Sequence, residues 1–115
     1  MTHYHGSRHE SLRFFPAICF TADRGSAANY GEHVHAVEIA RDRLRVMAVE
    51  MTDDELREAI DDQEWPCDRD DDIAAAIADG YDAVAYVDVD ERGAVHDCIR
   101  ILTREAFLSA VSAAE

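Results

Sequence analysis

The sequence predicts an α+β domain in which an antiparallel or mixed β-sheet carries peripheral helices. Segments rich in β-formers lie early in the chain and again before its end, and helical spacing dominates the middle. This order differs from the regular strand–helix alternation that produces a parallel sheet. The 115 residues, 48% of them apolar, suffice for one core. We therefore predict a single domain spanning residues 1–115.

The first half of the chain predicts four strands and one short helix. The four strand segments cover residues 1–7, 17–21, 33–40 and 44–49. Asp23 is a suitable N-cap and Gly31 a suitable stop, which predicts a short helix over 23–30 between the second and third strands.

The middle of the chain predicts two helices separated by a loop. Thr52 and Glu55 have the spacing of a capping box, so a helix should begin at Thr52. A loop over 63–71, around Trp65, leads into a helix over 72–78 that Gly80 ends. Its inward-facing residues are expected to be Ile73, Ala76 and Ile77.

The last part of the chain predicts a β-hairpin followed by a helix. The segment 81–89 alternates, with Val84, Tyr86 and Asp88 on one face. A turn at 90–93 separates it from a final strand over 95–102. Thr103 is a suitable cap for a terminal helix that begins at Arg104.

The chain is strongly acidic. It carries 25 Asp and Glu residues against 11 basic residues, all of them Arg, for a net charge of −14. A negative charge of this size repels the phosphate backbone of a nucleic acid, so we predict no direct nucleic-acid partner. The section from Glu50 to Asp97 holds 18 of the 25 acids. It is either a solvated acidic surface or an acidic face that docks on a basic partner, such as a nucleic-acid-binding protein.

Hydropathy and cysteine usage bear on the compartment. No apolar run approaches about 18 residues, and the polar N-terminus lacks the apolar core of a signal peptide. We therefore expect no membrane association and a cytoplasmic location. The three cysteines (Cys19, Cys67 and Cys98) form no Cys-x-x-Cys pair, which favours a reducing compartment. Cys19 and Cys98 lie in apolar segments, as small core residues do.

Four short motifs contain residue types that are common in binding and catalytic sites. The first strand ends in Tyr-His-Gly-Ser (4–7), and the second reads Ala-Ile-Cys-Phe-Thr (17–21). The first helix ends in Ala-Asn-Tyr-Gly (28–31), and Gly-Tyr-Asp-Ala-Val (80–84) opens the hairpin. This ordered set resembles the ADP-ribosyltransferase superfamily, in its poly-ADP-ribose-polymerase-like branch.

The resemblance implies a split β-sheet of the ADP-ribosyltransferase type. It also implies NAD⁺-dependent transfer of one ADP-ribose unit to a protein target, with NAD⁺ as co-substrate and no need for a metal. His5 would hydrogen-bond the adenosine ribose, Gly6 would hold the nicotinamide carboxamide through its backbone, and Tyr30 would stack on the nicotinamide ring. The NAD⁺-binding residues implied by motif position are His5, Gly6, Ser7, Cys19, Phe20 and Tyr30.

The chain departs from the family at two positions. Cys19 stands where the family has a strand tyrosine, and the last strand contains no Glu. Compact phage-encoded members, an anti-CRISPR class among them, also keep the His-Gly-Ser strand without the usual final Glu. Asp97 lies at the matching place and is the first candidate for the catalytic carboxylate, with its side chain expected to point into the cleft. Asp88 is the second candidate and Asp90 the third.

Two other functions are consistent with the sequence: a non-catalytic domain whose acidic section occupies a basic surface of a partner, and an NAD⁺ glycohydrolase. Plainer roles also fit single residues. His5 would then be a strand histidine bonded to backbone, Tyr30 a core aromatic, and Asp97 a solubilising hairpin residue.

Two pairs of histidines have a spacing that occurs in metal sites. The pairs His3/His5 and His33/His35 have the spacing that puts two side chains on one strand face. No third-ligand motif accompanies them, so we predict no metal site. The family resemblance predicts instead that His5 and Tyr30 line one cleft, where they would bind NAD⁺.

Overall fold

The structure is a computed structural model that describes residues 2–89 and 95–114. The strands of these residues form one mixed sheet of order β4-β5-β6-β2-β1-β3-β7. The pairing of β4 with β5 is parallel, and the other pairings are antiparallel. The strands are β1 (Thr2–Ser7), β2 (Ile18–Thr21), β3 (His33–Ile39), β4 (Val46–Ala48), β5 (Ala83–Val89), β6 (Val95–Ile101) and β7 (Val111–Ala113).

Helices flank the sheet, which confirms the predicted α+β class. They are α1 (Arg24–Ala28), α2 (Asp53–Asp62), α3 (Asp70–Ala78) and α4 (Arg104–Ala110), with a short 3₁₀ helix at Arg41–Arg43. None of the helices in the described part of the chain is both long enough and apolar enough to cross a bilayer.

The predicted helix caps are confirmed. The Thr52 side chain accepts a hydrogen bond from the Glu55 amide at 3.2 Å, and the Glu55 carboxylate accepts one from the Thr52 amide at 3.2 Å. The Asp23 carboxylate accepts a bond from the Ser26 amide at the start of α1. These contacts connect residues three positions apart, so local sequence is enough to specify them.

The structure corrects three details of the predicted elements. Strand β7 was not predicted; it pairs with β3 at the edge of the sheet and follows α4 directly. Helix α3 begins at Asp70, two residues before the predicted start. Ile77 was expected to face inward but is 41% exposed. The predicted turn at 90–93 lies outside the described residues.

The two faces of the sheet carry different clusters of apolar side chains. One cluster packs against α4 and includes Phe20, Ile99 and Ile101. On the opposite face, Val84 and Leu102 pack with Ala76 of α3. The same face also carries a cavity, whose lining includes Tyr86 and Cys98.

The sheet is split between β1 and β2. These two strands share a single residue pair, Tyr4 with Thr21, whereas β1 and β3 are paired along the whole length of β1. Beyond that pair, the His5 ring bridges the two strands: its Nδ1 lies 2.9 Å from the Cys19 carbonyl oxygen. The opening between β1 and β2 is where the cavity forms.

Candidate functional site

A cavity of about 380 Å³ lies at the split in the sheet. Its size is in the range of small-molecule sites. The residues that line it come from β1, β2, β5 and β6, from α1 and the residues after it, and from the loops at Phe15 and Trp65. They are Tyr4, His5, Gly6, Ser7, Phe15, Ala17, Cys19, Thr21, Ala27, Tyr30, Trp65, Tyr86, Asp88, His96, Cys98 and Arg100. The expectation that His5 and Tyr30 line one cleft is confirmed.

His5 presents one ring nitrogen to the protein and leaves the other for a ligand. Because a carbonyl oxygen can only accept, Nδ1 carries the hydrogen in its bond to Cys19. Burial lowers the pKa of His5, so the ring is neutral near pH 7 and Nε2 is an acceptor. No partner for Nε2 lies among the described residues. His5 is therefore bonded to backbone, as a purely structural strand histidine would be, but its Nε2 remains available to accept a hydrogen bond from a ligand.

Gly6 is required where it stands because helix α1 packs directly on it. A Cβ built at Gly6 would lie 1.8 Å from the Ala27 carbonyl oxygen. That separation is far below any real contact, and the obstructing atom belongs to the backbone. The glycine thus has a packing role in holding α1, and Tyr30 after it, beside the cavity.

Substituting Gly6 by Ala should destabilise the protein by about 2 kcal/mol or more, because α1 must move away from β1. Gly25→Ala is the matched control. Its new Cβ would meet nothing closer than 3.7 Å, and alanine favours the helix by about 0.5–1 kcal/mol. Urea unfolding monitored by circular dichroism measures both changes. Equal stability of Gly6→Ala and wild type would contradict the close packing of α1.

Aromatic side chains stand at the rim of the cavity. Tyr30 follows α1 and is 70% exposed, so it is not the core aromatic of the plainer interpretation. Trp65, from the loop between α2 and α3, is half-buried, and its ring centroid lies 6.4 Å from that of Tyr86. The aromatic rings of Tyr30 and Trp65 are both suited to stacking on a flat ring of a ligand.

Among the described residues, Asp88 is the one that brings a carboxylate to the cavity. On β6 the side chains of His96 and Cys98 line the cavity, so Asp97 between them lies on the other face of the sheet, where it is exposed. The expectation that Asp97 points into the cleft is therefore wrong. Asp88 pairs with His96 across the hairpin and lines the cavity. Asp90, the third candidate, lies outside the described residues.

Two further NAD⁺-site candidates are placed differently by the structure. Cys19 and Phe20 are neighbours on β2, so their side chains lie on opposite faces. Cys19 lines the cavity, whereas Phe20 is 0% exposed in the cluster beneath α4 and does not line it. Ser7 lines the cavity, and its hydroxyl oxygen accepts a bond from the His9 amide at 3.0 Å.

The thiols of Cys19 and Cys98 both line the cavity, and their pKa values are shifted in opposite directions. A hydrogen bond from Cys98, together with the Tyr86 hydroxyl 3.4 Å away and the charge of Arg100, lowers the pKa of Cys19 to about 7. The same pairing, with burial, raises the pKa of Cys98. Cys19 therefore loses its proton first. Cys98 is buried, as expected of a small core residue, and Cys19 is half-buried; both also line the cavity.

Arg100 supplies positive charge to the cavity. It forms an ion pair with Asp68, donates a bond to the Ala17 carbonyl oxygen at 3.3 Å, and lies over the Tyr86 ring at 5.5 Å. Its Nε–H is buried and has no acceptor among the described residues. A buried donor without an acceptor is unfavourable by about 1–3 kcal/mol, so an acceptor atom on a ligand would be stabilised here.

Several cavity residues were missed by the sequence analysis. They are Tyr4, Phe15, Ala17, Thr21, Ala27, Trp65, Tyr86, His96, Cys98 and Arg100. The alternation of β6 puts His96, Cys98 and Arg100 on one face, and that signal was present in the sequence. Nothing local indicated that the loop of Trp65 returns to this face.

Comparison of the chain with protein-family models, with curated proteins and with solved structures found no match. The candidate site therefore rests on its own geometry and on the motif resemblance.

Proposed function

We propose that the chain binds NAD⁺ in this cavity and transfers its ADP-ribose to a protein, as a mono-ADP-ribosyltransferase. The observation that supports this most is the convergence of His5, Tyr30 and Asp88 on one cavity. These residues come from β1, from the segment that follows α1 and from β5, and they supply an acceptor, an aromatic face and a carboxylate. A cationic nicotinamide ring attached to a ribose needs those three groups.

The chemistry of the lining fits the parts of NAD⁺. The exposed Tyr30 ring and the Asp88 carboxylate both favour a flat cation, which nicotinamide is while bonded to ribose. Neutral His5 offers Nε2 to a ribose hydroxyl. The Arg100 Nε–H would donate to an oxygen of the pyrophosphate or of the carboxamide.

Asp88 is the proposed catalytic residue. The bond between ribose C1′ and the nicotinamide nitrogen breaks, and its electron pair leaves with nicotinamide, which becomes neutral. Positive charge then develops at C1′, where a fixed carboxylate lowers the free energy of the transition state. A nucleophilic atom of the target forms the new bond to C1′ and releases its proton to solvent. When water takes the place of the target, the same site acts as a glycohydrolase.

The acidic helices favour a second candidate function, docking on a basic partner. The first turns of α2 and α3 carry six exposed acids, which are Asp53, Asp54, Glu55, Asp70, Asp71 and Asp72. A groove beside α2 is lined by further acids, including Glu58 and Asp62, and shares Trp65 with the cavity. In a transferase this surface would hold a basic segment of the target near Trp65. In a non-catalytic domain it would be the entire binding site.

One incubation tests these functions together. Purified protein is mixed with cell lysate and with NAD⁺ labelled in its adenylate part, and nicotinamide release is measured alongside label on protein. The transferase predicts both signals. Free ADP-ribose without labelled protein identifies the glycohydrolase. If no nicotinamide is released and NAD⁺ gives no rise in melting temperature, the NAD⁺ proposal is overturned and the acidic docking function is favoured.

A further inference from the structure

A second constellation in the cavity combines three kinds of metal-binding donor. Asp88 on β5 and His96 on β6 are cross-strand partners, and Cys98 lies two residues beyond His96 on the same face. One potential ligand atom from each of these residues lies within 4.8 Å of the others. They supply a carboxylate oxygen, an imidazole nitrogen and a sulfur from a single hairpin.

The contacts of His96 with its neighbours also favour metal binding by these three residues. The His96 Nδ1 lies 2.6 Å from the Thr21 hydroxyl oxygen and 3.4 Å from the Cys98 sulfur. Hydrogen bonds to ligating side chains are a regular feature of metal sites, because they orient the ligands.

We propose that Asp88, His96 and Cys98 form a transition-metal site suited to Zn²⁺, with the fourth coordination position open to the cavity. Zn²⁺ binds sulfur, nitrogen and carboxylate oxygen in tetrahedral sites, and this donor set has all three. Harder cations such as Mg²⁺ and Ca²⁺ prefer oxygen alone. The mixed donor set therefore selects a metal of the zinc class.

Binding requires only small movements of side chains. With metal–ligand bonds of about 2.0–2.3 Å, tetrahedral ligand atoms lie roughly 3–4 Å apart. The present separations, within 4.8 Å, close to that range by side-chain rotation without moving the strands. As the metal–sulfur bond forms, the Cys98 thiol gives its proton to solvent. Asp88 and His96 are half-buried, so the metal enters from the cavity.

A bound metal would occupy the carboxylate that the proposed transferase uses. We therefore expect Zn²⁺ to inhibit nicotinamide release. This consequence rests on the proposed function, but metal binding itself does not. The test below measures binding without NAD⁺, so failure of the metal site and failure of the proposed function are distinguished.

The test titrates the reduced protein with Co²⁺, a spectroscopic substitute for Zn²⁺, and then displaces it with Zn²⁺. We expect one equivalent to bind, with a sulfur-to-metal charge-transfer band in the near ultraviolet and the strong visible bands of tetrahedral cobalt. Cys98→Ser should abolish the charge-transfer band or weaken binding about a hundredfold, and His96→Ala should weaken binding similarly. Thr21→Val, which removes the bond that orients His96, should weaken it about 10–100-fold.

Cys67→Ser is the matched control, because Cys67 lies outside the cavity in the cluster beneath α3. It should bind cobalt as wild type does, and far-UV circular dichroism confirms that each variant is folded. The proposal is overturned if wild type shows no charge-transfer band. It is also overturned if the band survives in folded Cys98→Ser or disappears in Cys67→Ser.

Discussion

Replacing Asp88 by Asn should slow nicotinamide release from NAD⁺ by about a hundredfold or more, while NAD⁺ binding is largely kept. The substitution preserves the shape of the side chain and removes its charge. Preorganised charges that face a developing cation typically contribute at least that much to the rate. Initial rates of nicotinamide release, together with the NAD⁺-induced shift in melting temperature, separate the loss of catalysis from a loss of binding.

Asp97→Asn is the control for this experiment. Asp97 is nine residues away in sequence and on the neighbouring strand, but its side chain lies on the face of the sheet that does not form the cavity. Its rate should match wild type. The opposite result, a normal rate for Asp88→Asn and a collapse for Asp97→Asn, would show that the cavity is not the site of the reaction.

The difference between these two aspartates shows what the sequence could and could not predict. Alternation along β5 correctly put Tyr86 and Asp88 on one face. A strand pattern does not reveal which of its two faces the cavity occupies. That depends on register, and here Asp88 pairs with His96 while Val87 pairs with Asp97. A shift of one residue would exchange the faces of β6, so no local signal could choose between the two carboxylates.

Local features were predicted well because their causes are local. The Thr52–Glu55 capping box and the Asp23 cap involve residues three apart, and the structure contains both. Strand β7 was missed because its three residues acquire strand geometry by pairing with β3. Arg100 and Trp65 lie 35 residues apart in sequence and meet at the cavity through the tertiary fold, which periodicity does not encode.

The motif Tyr-His-Gly-Ser was correctly predicted to lie at the site, but the sequence did not reveal why a glycine is needed in it. The cavity does include His5, Gly6 and Ser7. The close approach at Gly6, however, is that of the Ala27 carbonyl oxygen, which seats α1 against β1. The glycine therefore has a structural requirement before any ligand is considered. A loss of activity in a Gly6 variant has to be compared with its loss of stability.

The two aromatic residues implied by the resemblance should respond to substitution in opposite ways. Phe20 is fully buried, with its ring centroid 5.6 Å from that of His5 and 6.4 Å from that of Phe107. Phe20→Ala should cost about 3–5 kcal/mol of stability, since it leaves a cavity in the core. Tyr30→Ala should change stability by less than about 0.5 kcal/mol, because the side chain is largely in solvent.

Ligand binding should show the reverse order. Tyr30→Ala should weaken NAD⁺ binding by roughly 0.5–2 kcal/mol through lost stacking, whereas Tyr30→Phe keeps the ring and should bind as wild type does. Phe20→Leu, which retains more of the core volume and stays folded, should bind NAD⁺ normally. Urea unfolding and NAD⁺ titration followed by calorimetry measure the two quantities. Normal binding by Tyr30→Ala, or a specific loss of binding in folded Phe20→Leu, would contradict the placement of the NAD⁺ ring at the rim beside Tyr30.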